Sequence, residues 1–244
     1  MNLHMLQLHP DPRALVRFLV SQGLNDAGDG DLGYGIHAWL KATFGDLAPA
    51  PFRLRLDSRQ LKPPKLLAYT QQCRDRLLDQ ALTFAEPTAR AVCALEKDLA
   101  VAELPGPECW LAGRRLGFEV LACPVARKTG TGVERDIFLH HADRASADTG
   151  LNRAKIYGDW LGAQLDGAAR LDQVELAGFR LARQLRRGRH DDRDGRKNNR
   201  LTRPAALLQG VLEVRDGAAF HGRLARGIGR HRAFGYGMLL LRPA

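Results

Sequence analysis

Apolar positions recur along the chain with two periods, and these divide it into strand-like and helix-like stretches. Residues 3–8 alternate as Leu-His-Met-Leu-Gln-Leu and predict a short strand. Asp11-Pro12 then opens a helix with Leu15, Phe18 and Leu19 on one face. Over residues 32–44, Leu32, Ile36, Trp39, Leu40 and Phe44 recur at helical spacing and predict a second helix with a buried stripe. Pro49-Ala50-Pro51 closes this unit, and residues 52–56 alternate as a strand with one basic face. Lys62-Pro63-Pro64-Lys65 reads as a turn. Helices over 66–83 and 88–102 then supply Leu66, Leu67, Leu77, Leu78, Val92 and Leu95 to the core.

Pro105-Gly106-Pro107 is the strongest punctuation and predicts a boundary between domains 1–105 and 108–244. Strands follow at 109–111 and 116–125, then a turn holding Arg127, Lys128, Gly130 and Gly132. His140-His141 reads as a polar turn, because adjacent side chains point different ways and no second pair has ligand spacing. A helix over 152–166 turns Ile156, Trp160, Leu161 and Leu165 inward. Two alternating runs between Val174 and Val214 predict a long hairpin with an arginine-rich tip at 186–200. Asp216 caps a helix bearing Phe220 and Leu224, which leads into a glycine-rich loop and a final strand at Met238–Leu241. Strand–helix–strand followed by strand–helix–hairpin–helix–strand predicts an α+β fold: two tandem ferredoxin-like (βαββαβ) domains with a basic β-hairpin and a C-terminal glycine-rich loop.

Composition narrows the class. The chain is 45% hydrophobic, ordinary for a globular core, so a disordered protein is not expected. No apolar run approaches the roughly 20 residues of a membrane helix, and Met1-Asn2-Leu3-His4 does not begin a secretion signal. Cys73, Cys93, Cys109 and Cys123 are widely spaced and read as reduced, buried thiols of a cytoplasmic protein. The net charge is +10, and its distribution is lopsided. Residues 180–244 hold 16 Lys+Arg against 5 Asp+Glu, while the rest of the chain nets −1. A charged face of this kind suits a phosphate backbone, and it also suits solvent alone. Residues 180–203 carry ten basic side chains and three acidic ones: Arg180, Arg183, Arg186, Arg187, Arg189, Arg193, Arg196, Lys197, Arg200 and Arg203 are the basic set. Few aromatics interleave, which favours grip on a duplex backbone over stacking on unpaired bases.

Three stretches hold candidate chemistry. Asn25–Asp31 resembles the start of a calcium loop, but His37 stands where the bidentate Glu belongs, so a Gly/Asp turn capping the next helix is expected instead. On that helix Tyr34, His37 and Lys41 fall at i, i+3 and i+7, opposite the apolar stripe. A phenol, an imidazole titrating near neutrality and a fixed cation suit proton transfer beside a phosphate; they are equally three polar residues on an exposed face. The third stretch is the loop Gly227-Ile228-Gly229-Arg230-His231-Arg232-Ala233-Phe234-Gly235-Tyr236-Gly237. Glycine admits positive φ and leaves main-chain N–H groups uncovered, so the loop could lay amides against a polyanion while Arg230, His231 and Arg232 flank it. A P-loop would end in Gly-Lys-Ser/Thr, and a dinucleotide loop would need glycine at Arg232.

With this layout the chain resembles CasE, the family of repeat-RNA endoribonucleases of type I-E CRISPR systems in the repeat-associated mysterious protein superfamily. Tyr34-x-x-His37, Arg153-x-x-x-Tyr157-x-x-Trp160-Leu161, and Gly210–Val214 through the 227–237 loop to Leu240 carry the likeness. It is strongest after residue 110 and thinnest over 57–106. The resemblance implies a metal-independent endoribonuclease, without cofactor, that cleaves CRISPR repeat RNA stem-loops to guide RNAs. It further implies that the protein stays on the guide as a subunit of the type I-E surveillance complex. Tyr34 and His37 match the catalytic tyrosine and histidine. Gly227, Gly229, Gly235 and Gly237, with the loop's cations, match the signature loop beside the active site. The basic hairpin matches the element that grips the RNA stem. The family's supporting lysine has no secure match, so Lys41 rests on helix spacing. The stretch 25–33 also places the histidine later in the chain than is usual. A non-catalytic RNA-binding subunit of the same fold and a DNA-binding regulator are the alternatives.

Overall fold

Alternation along His4–Leu8 puts Leu6 and Leu8 on one face, both fully buried, and forms strand β1. The structure, a computed structural model, describes residues 2–24, 32–56, 63–127, 132–145, 150–187 and 198–244, with backbone alone at 184–187 and 198–201. By packing the chain divides into two units. One comprises Met1–Leu104, Leu181–Arg203 and Ala233–Gly235; the other comprises Pro105–Arg180, Pro204–Arg232 and Tyr236–Ala244.

In the first unit, Asp11 caps α1 (Pro12–Ser21) by accepting from the Ala14 N–H, with Pro12 preset for the first turn. Helix α2 (Gly33–Phe44) follows. Next come β2 (Phe52–Arg55), β3 (Lys65–Thr70), α3 (Arg74–Phe84), the single turns α4 (Pro87–Arg90) and α5 (Leu95–Asp98), and β4 (Ala100–Glu103). The antiparallel sheet has the order β2-β3-β1-β4, with Leu6 opposite Ala68 on one side and Val101 on the other. Leu6, Leu8, Phe18, Ile36, Trp39, Phe44, Phe52, Leu66 and Leu77 form its core.

Two helices expected here are different elements. The segment 66–83 starts as strand β3, because Leu66, Ala68 and Tyr69 are buried in the sheet, and becomes helical only at Arg74. The segment 88–102 breaks into two single turns and then edge strand β4, whose backbone pairs with β1. Asn25–Asp31 and Lys62 lie outside the described residues.

The second unit contains β5 (Arg115–Ala122), β6 (Val125–Arg127), β7 (Glu134–Asp136), α6 (Ile137–Ala142), α7 (Arg153–Leu165), β8 (Ala169–Arg187), β9 (Asn198–Val214), α8 (Gly217–Arg226) and β10 (Leu239–Pro243). Residues 181–187 and 198–203 of the two long strands pack with the first unit. The sheet order is β10-β5-β9-β8, and β6 and β7 pair separately. Leu116, Phe118, Val120 and Ala122 alternate inward along β5. Asp216 caps α8, leaving Phe220 and Leu224 buried.

Three local expectations are corrected in this unit. Residues 107–109 form a 3-10 turn rather than a strand, with Trp110 turned onto Phe220 and its Nε1 donating to the Pro105 carbonyl. His140 and His141 sit in helix α6, not in a turn. On α7 the buried side chains are Tyr157, Leu161 and Leu165, while Ile156 and Trp160 are half-buried. The Tyr157 hydroxyl donates to Asp136, and Arg153 donates to both, its guanidinium stacked on Phe138 and Phe179. Cys93 and Cys123 are buried as expected, but Cys73 and Cys109 are exposed. Among the described residues no helix is long and apolar enough to cross a membrane.

Candidate active site and nucleic-acid interface

Helix α2 presents its polar stripe because its opposite face is fixed. Ile36, Trp39, Leu40 and Phe44 are at most 1% exposed, and the Trp39 indole N–H donates to the Ala89 carbonyl at 3.0 Å. Gly35 lets α1 approach closely: a Cβ there would lie 2.7 Å from Leu19. Tyr34 and His37 are therefore half-buried on the outer side, with ring centroids 6.3 Å apart. Phe234, from the glycine-rich segment and packed with this unit, completes the cluster. Its ring lies 5.2 Å from the His37 imidazole, edge to face, and 5.8 Å from Tyr34. Gly235 follows against Phe52, where a Cβ would come within 3.2 Å.

Burial, and secondarily the Lys41 charge one turn along the helix, hold the His37 pKa below its ordinary 6.5. The imidazole is thus neutral at pH 7 and able to accept a proton. Lys41 is exposed and pairs with Asp46 at 3.4 Å, a surface contact that contributes little to stability.

In the second unit, Gly227, Gly229 and Gly237 have φ of +74°, +69° and +76°. The loop closes on itself through the Ile228 N–H to the Gly237 carbonyl, and the Gly237 N–H donates to Leu121. A Cβ on Gly237 would meet the Ile228 carbonyl at 2.1 Å, so only glycine fits. Gly229 lies against the Trp160 ring. Arg230 and His231 both turn to Glu134 on β7, at 2.5 and 2.7 Å, and Arg232 donates to the Arg226 carbonyl at 2.7 Å. The loop's two arginines and its histidine are therefore organised by the protein itself.

Of the hairpin set, Arg180 and Arg183 are exposed on β8 and Arg203 is half-buried on β9. Arg186, Arg187 and Arg200 are described by backbone alone, within the two strands. Arg189, Arg193, Arg196 and Lys197 lie outside the described residues, as do Lys128 and Gly130.

Sequence reasoning missed Phe234 as a site residue and Glu134 altogether. An aromatic among glycines and cations was a legible signal for the first. Glu134 carries none, since its partners stand almost a hundred positions later in the chain.

Two four-stranded sheets with helices define an α+β protein, with an imidazole–phenol pair on one helix and arginines on two long strands. The model of the CRISPR associated protein family matches residues 3–243, and the chain belongs to that family. Among solved structures it is similar to a CRISPR endoribonuclease Cse3 bound to 19-nucleotide RNA, with a TM-score of 0.65 and 20% identity over the whole of both chains. It is also similar to Thermus thermophilus Cse3 bound to an RNA representing a pre-cleavage complex, with a TM-score of 0.62 and 21% identity over the whole of both chains. A chain of a CRISPR RNA-guided surveillance complex matches with a TM-score of 0.58 and 16% identity, covering 99% of this chain and all of that one. A comparison with curated protein sequences finds no match. The structural likenesses establish the fold, α+β with two antiparallel sheets.

Proposed function

We propose that the protein is a CRISPR repeat-RNA endoribonuclease. The orders β2-β3-β1-β4 and β8-β9-β5-β10 support reading its fold as two tandem ferredoxin-like domains, 1–105 and 108–244. The observation that carries the activity is the edge-to-face contact of Phe234 with His37, which draws the signature segment onto the candidate base. In the reaction His37 takes the proton of a ribose 2′-OH. The 2′-oxygen bonds to the adjacent phosphorus as the bond to the 5′-oxygen breaks. A 2′,3′-cyclic phosphate and a 5′-hydroxyl, protonated from solvent, remain. Tyr34 orients the 2′-OH, while Lys41 offsets charge on the phosphorane.

The chemistry assigns no step to a metal. The basic hairpin holds the RNA stem, and retention of the product as a subunit of a surveillance complex is part of the same reading. Such a complex is what one structurally similar chain belongs to.

Incubation with a labelled hairpin repeat RNA in chelator tests this. The parent shortens the RNA, whereas His37→Ala binds with unchanged affinity and does not cut. Cutting by His37→Ala at the parent rate would overturn the assignment. A parent that binds the hairpin and never cuts it would make the protein an RNA-binding subunit only, and equal affinity for duplex DNA would point to a DNA-binding regulator.

A further inference from the structure

Glu134 is an unusual carboxylate for so basic a protein. Its side chain is only 9% exposed, and it meets two side chains of the glycine-rich loop, the Arg230 Nε on one oxygen and the His231 Nε2 on the other. His231 is the one non-glycine among the described residues with positive φ, at +60°. That backbone conformation is disfavoured for a residue bearing a Cβ and persists only where the surroundings dictate it. The short bonds to Glu134 and the tightly folded glycine loop around Arg230-His231 supply those surroundings.

Arg230 differs from His231 in one respect: its side chain is 47% exposed, against 16% for the histidine. Among the described residues only its Nε is engaged. The terminal edge of the guanidinium, with two further nitrogens, therefore reaches solvent with its direction fixed from behind. A guanidinium held in this way suits bidentate capture of a phosphate, because little side-chain freedom is left to lose on binding.

We infer that Glu134 is a positioning residue that aims the outer edge of Arg230 at an RNA phosphate. This rests on the reading of the protein as an RNA-binding endoribonuclease. It makes a prediction opposite in sign to simple electrostatics: removing a negative charge from a polyanion site should tighten binding, whereas removing a guide for Arg230 weakens it.

The test is equilibrium binding of a labelled hairpin repeat RNA, by fluorescence anisotropy, in the His37→Ala background so that substrate persists. Glu134→Ala and Arg230→Ala each weaken binding about tenfold, and the double variant is no weaker than either single one. Glu134→Gln keeps an acceptor for Nε without the charge and binds within about twofold of the background protein. Three results would each overturn the inference: Glu134→Ala binding as tightly as the background or tighter, losses that add in the double variant, or Glu134→Gln falling as far as Glu134→Ala. Should Glu134→Ala not fold, Arg230→Ala and Glu134→Gln still decide, since undiminished binding by the first or the full loss in the second defeats it. A folded background protein that binds no hairpin RNA would remove the functional reading itself, an outcome distinct from all of these.

Discussion

At the scale of single residues, the proposed cleavage turns on the imidazole of His37. Its pKa sits below 6.5 through burial, with Lys41 a second cause of the same sign. A general base works only when neutral, so with His37 in that role cleavage should be full at pH 7 and fall as pH drops through that lowered value. Lys41→Ala removes one lowering influence, and the acid limb of a single-turnover pH profile should then move to higher pH, toward the ordinary value. A limb that stays put or moves down would show that Lys41 does not act on the base. Tyr34 and His37 were legible in the sequence because helical periodicity alone places them on one stripe. The Phe234 contact was not, since it joins a loop to a helix far away in the chain, and no local pattern encodes such a meeting. Cys73 and Cys109 teach the same point from the other side: their residue type favours burial, yet tertiary placement leaves both exposed.

At the scale of elements, the helices with apolar positions at helical spacing were readable, α1, α2, α7 and α8 among them. Strand β3 was not. Its run Leu66-Leu67-Ala68-Tyr69 continues toward Leu77 and Leu78 in a pattern that a helix satisfies equally well, and only pairing with β1 and β2 decides it. β4 is an edge strand with exposed positions at Ala100, Ala102 and Glu103, so it has almost no apolar alternation to betray it. The glycine-rich loop was visible as composition, but its construction as a closed, self-bonded turn was not. Gly237→Ala tests that turn. With φ at +76° and the Ile228 carbonyl in the way, the substitution should destabilise the fold by about 1–3 kcal/mol. Thermal unfolding measures it, and an unchanged midpoint would mean the loop yields freely.

Across the whole molecule, the unequal distribution of charge was the clearest message of the sequence, because it needs no structure to be counted. What it could not give was the packing of segments 181–187, 198–203 and 233–235 with residues from the first hundred. If the hairpin meets RNA phosphates, each arginine that does so releases counterions on binding. Replacing Arg180 and Arg183 with Ala should weaken binding and flatten the slope of log affinity against log salt, by about 0.7–0.9 for each phosphate that goes unneutralised. An unaltered slope would take these two side chains out of the interface. The packing of Trp160 on Gly229 has a practical side. Trp39 and Trp110 are buried, whereas the half-buried Trp160 indole lies directly on Gly229. The protein thus carries its own optical reporter: a shift in indole emission when an oligonucleotide is titrated in would register movement of the loop in real time, with no dye attached.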